Sequence, residues 1–187
     1  MLWASSYAAA KIGLLDIAVR VVAVRMSIAA AAGLLLNLAL RRRLPAAAIW
    51  PHLMLGGALL HGFGLAFAHA ALVEVDATPA ALVHAFHPIL TAALGSLLLH
   101  ERFAWWQWIG VALGFVGVML GVPLTLGSAN LGYLALSLAG GTLYLRRFCA
   151  RIPPFEATAV QLIGAALFVI AAATAGVALV WWRPANR

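Results

Sequence analysis

Long runs of apolar residues, separated by short polar or proline-containing breaks, fill this chain from end to end. A bilayer core of about 30 Å needs about 20 residues of helix at about 1.5 Å each, so such runs predict membrane-spanning helices. Seven runs meet or approach this length: Met1 to Leu15, Ile17 to Leu40, Trp50 to Val73, Pro79 to Leu99, Trp105 to Val122, Leu131 to Leu145 and Phe155 to Trp182. The pattern predicts an all-α, polytopic membrane bundle of about seven transmembrane helices.

The breaks between the runs contain residues that commonly begin helices. Asp16 can cap the second run, Pro51 and Pro79 stand near helix starts, and Pro153 and Pro154 precede the last run. Tryptophans stand at the predicted ends, where an indole ring anchors a helix at the membrane interface: Trp50, Trp105, Trp106, Trp108, Trp181 and Trp182. The first run lacks the basic start of a signal peptide, so we predict that it stays as a membrane helix.

Composition argues against a water-soluble fold. Hydrophobic residues make up 65% of the 187 residues and charged residues 9%, against about 45 to 50% and about 25% in soluble domains. The net charge of +7 would suit nucleic-acid binding, but the basic residues lie between apolar runs and form no basic domain. We therefore expect the lipid bilayer, and no nucleic acid, among the partners.

Basic residues fall in alternate loops, which sets the expected orientation. They are Arg41, Arg42 and Arg43 in the second loop, Arg102 in the fourth, and Arg146, Arg147 and Arg151 in the sixth. The third loop has Glu74 and Asp76, and the fifth, residues 123–130, has no charge. Because short loops rich in Lys and Arg stay in the cytoplasm, the N-terminus is predicted inside and the C-terminus outside. The arginine- and alanine-rich composition suggests a bacterial source, hence the inner membrane, with a periplasmic C-terminus.

Hydrolytic chemistry finds no support in the motifs. His100 and Glu101 lack the second histidine of a zinc protease motif, since position 104 is Ala. Ser96 does not lie in a G-x-S-x-G motif, and one cysteine, Cys149, excludes an internal disulfide. We predict that the protein is not an enzyme and has no cofactor.

Polar groups within the apolar runs are the candidate site residues, because such groups tend to face a cavity or a partner. Arg25 lies well inside the second run, where it can bind an anionic group, pair with Asp16 or a backbone carbonyl, or extend outward to the interface. His84, His87 and Thr91 recur at helical spacing on one face of the fourth run, where they can line a substrate path or bond to neighbouring helices. Pro88 beside them frees a backbone carbonyl one turn earlier and is expected to bend the helix.

Two further faces are rich in small residues. In the third run Gly57, Gly64 and Ala68 share a face with His61, and small residues allow close helix packing while His61 can reach a cavity. In the fifth run the glycines at positions 110, 114, 117 and 121 form a similar face, for which we predict helix packing.

Residues 79–122 resemble the second half of an EamA repeat of the drug/metabolite transporter superfamily. The resemblance lies in Pro88, the turn from Leu98 to Phe103, Gln107, Gly110 and Gly117, while Trp3 to Tyr7 with Lys11, and Arg25, resemble the first half. It implies one five-helix EamA repeat over residues 1–122. Aligning Ala4 with Ala139 makes residues 123–187 resemble the first two helices of a second, inverted repeat.

The resemblance implies transport of a small polar metabolite, typically an amino acid or related compound, by an exporter in the inner membrane. It further implies that Ser6 and Tyr7 of the first helix and Tyr144 of the sixth help to line a substrate cavity. Because most of the second repeat is absent, the chain is expected to be truncated, or to form a homodimer or bind a partner chain that completes the pathway.

Two other functions fit parts of the sequence. A non-transporting membrane fragment would explain the incomplete repeat. A haem- or metal-handling membrane protein would use the histidines at positions 61, 69, 84 and 87 as ligands.

Overall fold

The computed structural model describes residues 18–100, 103–121 and 129–182. Their helices are α1 (Ala18–Ala39), α2 (Trp50–Gly57), a π-helical segment (Ala58–Phe63), α3 (Gly64–Glu74), α4 (Ala77–Leu98), α5 (Trp105–Gly121), α6 (Ala129–Cys149) and α7 (Pro154–Trp182). The described part of the chain contains no strand, and the all-α membrane bundle predicted from the sequence is confirmed.

Four of the described helical stretches are long and apolar enough to cross a membrane: Val22–Ala39, Ala47–Leu72, Ala77–Leu98 and Pro154–Ala175. A fifth apolar stretch, Trp105–Val118, is shorter. α6 has 21 residues but carries Arg146 and Arg147 in its last turn, rather than in the loop where we had expected them. Cations at a helix C-terminus interact favourably with the helix dipole, so the helix continues through them. The predicted count of about seven spans stays a prediction, since its first run lies outside the described residues.

The second described span is one helix with an irregular middle. A short 3₁₀ turn (Ala47–Ile49) leads into α2, Pro51 occupies its first turn, and α2 passes through the π-helical segment into α3 without leaving helical backbone angles. We call the whole stretch the interrupted helix. It ends at Val75, whose backbone is extended (φ −128°, ψ 166°).

Helices α1 and α7 pack against each other over a shared apolar surface. Val22, Met26 and Ala30 of α1 form a buried cluster with Ala165, Ala166 and Val169 of α7. Gly33, further along α1, approaches Ala159, which lies earlier in α7. The two helices therefore run in opposite directions.

The interrupted helix crosses α7 and α6 at glycines. A β-carbon at Gly57 would meet the backbone carbonyl group of Gln161, and one at Gly164 would meet that of Met54. On the α6 side, a β-carbon at Gly141 would lie 2.7 Å from the backbone nitrogen of Leu60. The predicted small-residue packing of this helix is thus present, and it holds the π-helical segment between two neighbours.

One end of the bundle carries Arg42, Arg146 and Arg147 together with an ion pair. Arg42, just after α1, bonds to Glu156 in the first turn of α7, with a nitrogen–oxygen distance of 3.0 Å. The Arg42 guanidinium also stacks 4.9 Å from the ring centroid of Phe155. Arg146, Arg147 and His100 border a common depression where α4 and α6 end.

Candidate functional site

A cavity of about 210 Å³ opens between α1, the interrupted helix, α4 and α6. Its walls are formed by Arg25, Met26, Leu60, His61, Gly64, Leu65, Ala68, His84, His87 and Leu138. Four of the residues singled out from the sequence, Arg25, His61, His84 and His87, thus lie around one space although they come from three separate helical stretches.

The π-helical segment positions His61. A π turn accommodates one extra residue within a helix, and such turns are frequent at functional sites. Gly141 lets the backbone at Leu60 lie close to α6. A β-carbon added at Gly64 would lie 2.9 Å from the Cδ2 atom of Leu138, so Gly64 also packs closely against α6. With larger residues at these two points the helix would be held further away, and His61 would be withdrawn from the cavity wall. The Gln161 side chain of α7 forms a hydrogen bond with His61.

Arg25 brings a permanent positive charge to the cavity wall. Its side chain is exposed, and no carboxylate of the described ranges forms an ion pair with it. His69 lies near enough for electrostatic interaction with Arg25, while its own Nδ1 is 2.8 Å from the Leu65 carbonyl oxygen. Asp16, the other partner considered for Arg25, lies outside the described residues.

The polar face of α4, which carries His84, His87 and Thr91, divides into two parts. His84 and His87 line the cavity, with ring centroids 6.5 Å apart. His87 also bonds across to α6, where its Nε2 lies 2.9 Å from the Thr142 hydroxyl oxygen. Thr91, one turn further, does not line the cavity: it is buried, and its hydroxyl has no hydrogen-bond partner among the described residues. Thr91 therefore lies in the packing between helices and outside this cavity, and its substrate role stays a prediction.

Pro88 lies inside α4 as predicted, and its own side chain is exposed. A proline nitrogen carries no hydrogen, so Pro88 cannot donate the usual helical hydrogen bond to the preceding turn. That turn carries His84 and His87, so Pro88 stands where a change in helix geometry would move these two cavity-lining residues together.

Tyr144 does not line the cavity. Its hydroxyl lies 2.7 Å from Nδ1 of His52, and its ring packs against Phe148, 4.7 Å between centroids. Tyr144 is six residues beyond Leu138 on α6, a rise of roughly 9 Å along the helix, which carries it past the cavity toward the basic end. The predicted Ser6 and Tyr7 lie outside the described residues.

Sequence reasoning did not assign Met26, Leu60, Leu65 or Leu138 to the site. They are ordinary apolar residues of apolar helices, and only the three-dimensional packing distinguishes the ones that border a space. Gln161 had a signal, since it lies one residue from the position that matches Arg25 in the proposed second repeat.

The described residues contain no group of three or more His, Cys, Asp or Glu side chains arranged to hold a metal ion. The histidines at 61, 84 and 87 border the cavity from different helices without converging on one point. The described histidines therefore do not form the kind of group that a protein-held metal ion requires.

Four described helical stretches long and apolar enough to cross a membrane, around a small and largely apolar cavity bordered by Arg25 and three histidines, define an integral membrane protein with an internal binding space. The chain belongs to the EamA-like transporter family, which it matches over residues 1–122. It is thus a membrane transporter of the drug/metabolite type, and the members of this family are transporters rather than enzymes. No curated protein and no solved structure matches the chain.

Proposed function

We propose that this protein exports a small polar metabolite, an amino acid or a related compound, across the bacterial inner membrane. The observation that carries the proposal is the cavity that unites Arg25, His61, His84 and His87 within the bilayer-spanning part of the bundle. Polar and charged groups at membrane depth are costly, and they persist where they face a substrate path. The direction of transport rests on the typical range of the family.

Cysteine accessibility tests this site. In a Cys149→Ala background, His84→Cys and His87→Cys are expected to react with a charged, water-soluble thiol reagent, because the reacting thiolate forms only where water penetrates. Thr91→Cys should stay unreactive because position 91 is buried, and Leu97→Cys because position 97 is exposed to lipid. The reaction is carried out in intact membranes, and labelling is then measured by mass spectrometry of the protein. Equal reaction at all four positions, or none at 84 and 87, would contradict the assignment and favour a non-transporting membrane protein.

We propose that the N-terminus is cytoplasmic and the C-terminus periplasmic. Support comes from one end of the bundle, where Arg42, Arg146, Arg147 and His100 gather beside the end of α1, the end of α4 and the start of α7. Short basic segments stay in the cytoplasm, so this end is assigned to the inside. An alkaline phosphatase fusion after Arg43 should be inactive and one after Arg187 active. The opposite pattern would reverse the orientation.

We further propose that residues 1–122 and 123–187 are one repeat and part of a second, inverted one. The antiparallel packing of α1 on α7 supports this, because in that scheme each helix is the second of its repeat.

A second copy of the chain, or a partner chain, is proposed to pack on α5. Support comes from Gly110 and Gly117, where an added β-carbon would meet no described group within 4 Å, whereas one at Gly114 would contact Ile89 of α4. Glycine faces of this kind allow helices to approach closely. Oxidative cross-linking in membranes should yield dimers from Gly110→Cys and Gly117→Cys but not from Gly114→Cys. A monomer in all three variants would exclude self-association through this face.

A further inference from the structure

The described walls of the cavity carry positive and proton-donating groups but no acid. The residues that border the space include one arginine and three histidines, and none of the described lining residues is Asp or Glu. A guanidinium is always charged and matches a carboxylate in bidentate geometry, and an imidazole donates a hydrogen bond in either protonation state. The polar part of the walls is therefore suited to an anionic group.

The remaining walls are apolar, and they bound the size of an occupant. Met26, Leu60, Leu65, Ala68 and Leu138 supply this surface. The volume of about 210 Å³ corresponds to about seven water molecules at about 30 Å³ each. A compact molecule with one polar end and a short hydrocarbon body fits such a space.

We propose that the transported substrate is a small organic monoanion, such as a short-chain carboxylate, without an ammonium group. This inference rests on the proposed transport of a small polar metabolite, and within that class it favours a related carboxylate over an amino acid. A carboxylate gains charge-assisted hydrogen bonds from Arg25 and the histidines in a site partly shielded from water. The ammonium group of an amino acid would lose its hydration and find no carboxylate partner in the described walls.

A purely structural role accounts less well for these four side chains. His87 does have a packing partner in Thr142, and His61 has one in Gln161. Arg25 has no carboxylate partner within the described ranges, yet it lies on the wall of the same cavity as the three imidazoles. One permanent positive charge and three imidazoles, each with an N–H that can donate a hydrogen bond, thus border the same space, which packing between helices does not require.

Protection of a single cysteine tests the substrate class with matched probes. Leu65→Cys, in a Cys149→Ala background and in proteoliposomes, is labelled with a neutral maleimide in the presence of pentanoate, pentanamide or pentylamine. These probes share one chain length and differ in the charge of the head group. We expect the concentration that halves labelling to be at least about tenfold lower for pentanoate than for pentanamide, because only pentanoate forms a charge pair with Arg25. Pentylamine should protect least.

In the Arg25→Gln variant, the protecting concentrations of pentanoate and pentanamide should differ by no more than about twofold, because the carboxylate loses its charged partner. Removing a charge from a membrane span does not impede insertion, so this variant is expected to fold. The control, Arg42→Gln, removes a guanidinium outside the cavity and should keep the preference for pentanoate.

Three results would overturn the proposal. Equal protection by pentanoate and pentanamide, or labelling that no probe prevents, excludes an anion-selective site but leaves a water-filled transport cavity standing. Preferential protection by pentylamine assigns a cationic substrate instead. Failure of Leu65→Cys to react at all means that the cavity is closed to water, which contradicts the proposed function itself.

Discussion

The Gly57→Ala variant is expected to lose at least about 2 kcal/mol of stability, although alanine is the better helix former. A β-carbon at position 57 would overlap the backbone carbonyl group of Gln161 in α7. A side chain in the way can rotate, but a backbone carbonyl within a helix is fixed by its own hydrogen bond. The interrupted helix and α7 must therefore separate, and their other contacts weaken with them.

The neighbouring contacts increase this effect. Gly164 meets the backbone of Met54 at the same crossing, and Leu53 and Val160 beside it are completely buried. Separation of the helices opens a gap along this row, and a gap in a packed interior loses the dispersion contacts on both of its sides. Since His61 forms its hydrogen bond with Gln161, the cavity wall is also displaced.

Gly132→Ala and Gly140→Ala are the matched controls, because both glycines are exposed on α6 and an added β-carbon at either position meets no described group within 4 Å. Alanine there should leave stability unchanged or raise it by up to about 1 kcal/mol through its higher helix propensity. The measurement is the temperature at which half of the detergent-solubilised protein loses its monodisperse chromatographic peak. If Gly57→Ala survives to the same temperature as the two controls, the close crossing of these helices is wrong.

Much of the helical architecture could be predicted from the sequence, because in a membrane the length of an apolar run nearly determines the element. The predicted run from Pro79 to Leu99 is observed as Ala77–Leu98, and the run from Trp105 to Val122 as Trp105–Gly121. Backbone groups in hydrocarbon must be satisfied within the segment, so an apolar run of this length has no other common structure.

The small-residue faces could be recognised from spacing, but their partners could not. Gly57 and Gly64 pack against neighbouring helices, whereas Gly110 and Gly117, at equally regular spacing, meet no described residue within 4 Å. Periodicity shows which residues share one side of a helix. It carries no information on what lies opposite that side.

The residue types of the candidate site could be predicted from the sequence, but the position of the site in the bundle could be predicted less well. Arg25, His61, His84 and His87 were identified because polar groups at membrane depth need a reason to be there, and they border one cavity. The spacing in the sequence puts Thr91 on the same face of α4 as His84 and His87. Thr91 nevertheless lies one turn further along α4, where it is buried between helices and does not border the cavity. The π-helical segment that contains His61 had no recognisable signal in the sequence. It lies between the points where Gly57 meets α7 and Gly64 meets α6, and Gly141 of α6 meets it at Leu60.

Filling the cavity is expected to stop transport without unfolding the protein. Leu65 lies on the cavity wall and is partly buried beside α1 and α7. The Leu65→Trp variant places an indole in the space of about 210 Å³, so little volume remains for a substrate. The rate of substrate flux in proteoliposomes should fall at least about tenfold, which corresponds to about 1.4 kcal/mol of lost binding or passage.

The control for this variant is Leu113→Trp, which makes the same substitution at a position on α5 that is 67% exposed. An indole is tolerated where it faces lipid or the interface, so flux should stay near the level of the unchanged protein. Both variants are compared for the amount and thermal stability of folded protein, so that a loss of flux is not mistaken for a loss of structure. Normal flux through a well-folded Leu65→Trp protein would show that the substrate takes another route, and the cavity between α1, the interrupted helix, α4 and α6 would then be a packing feature.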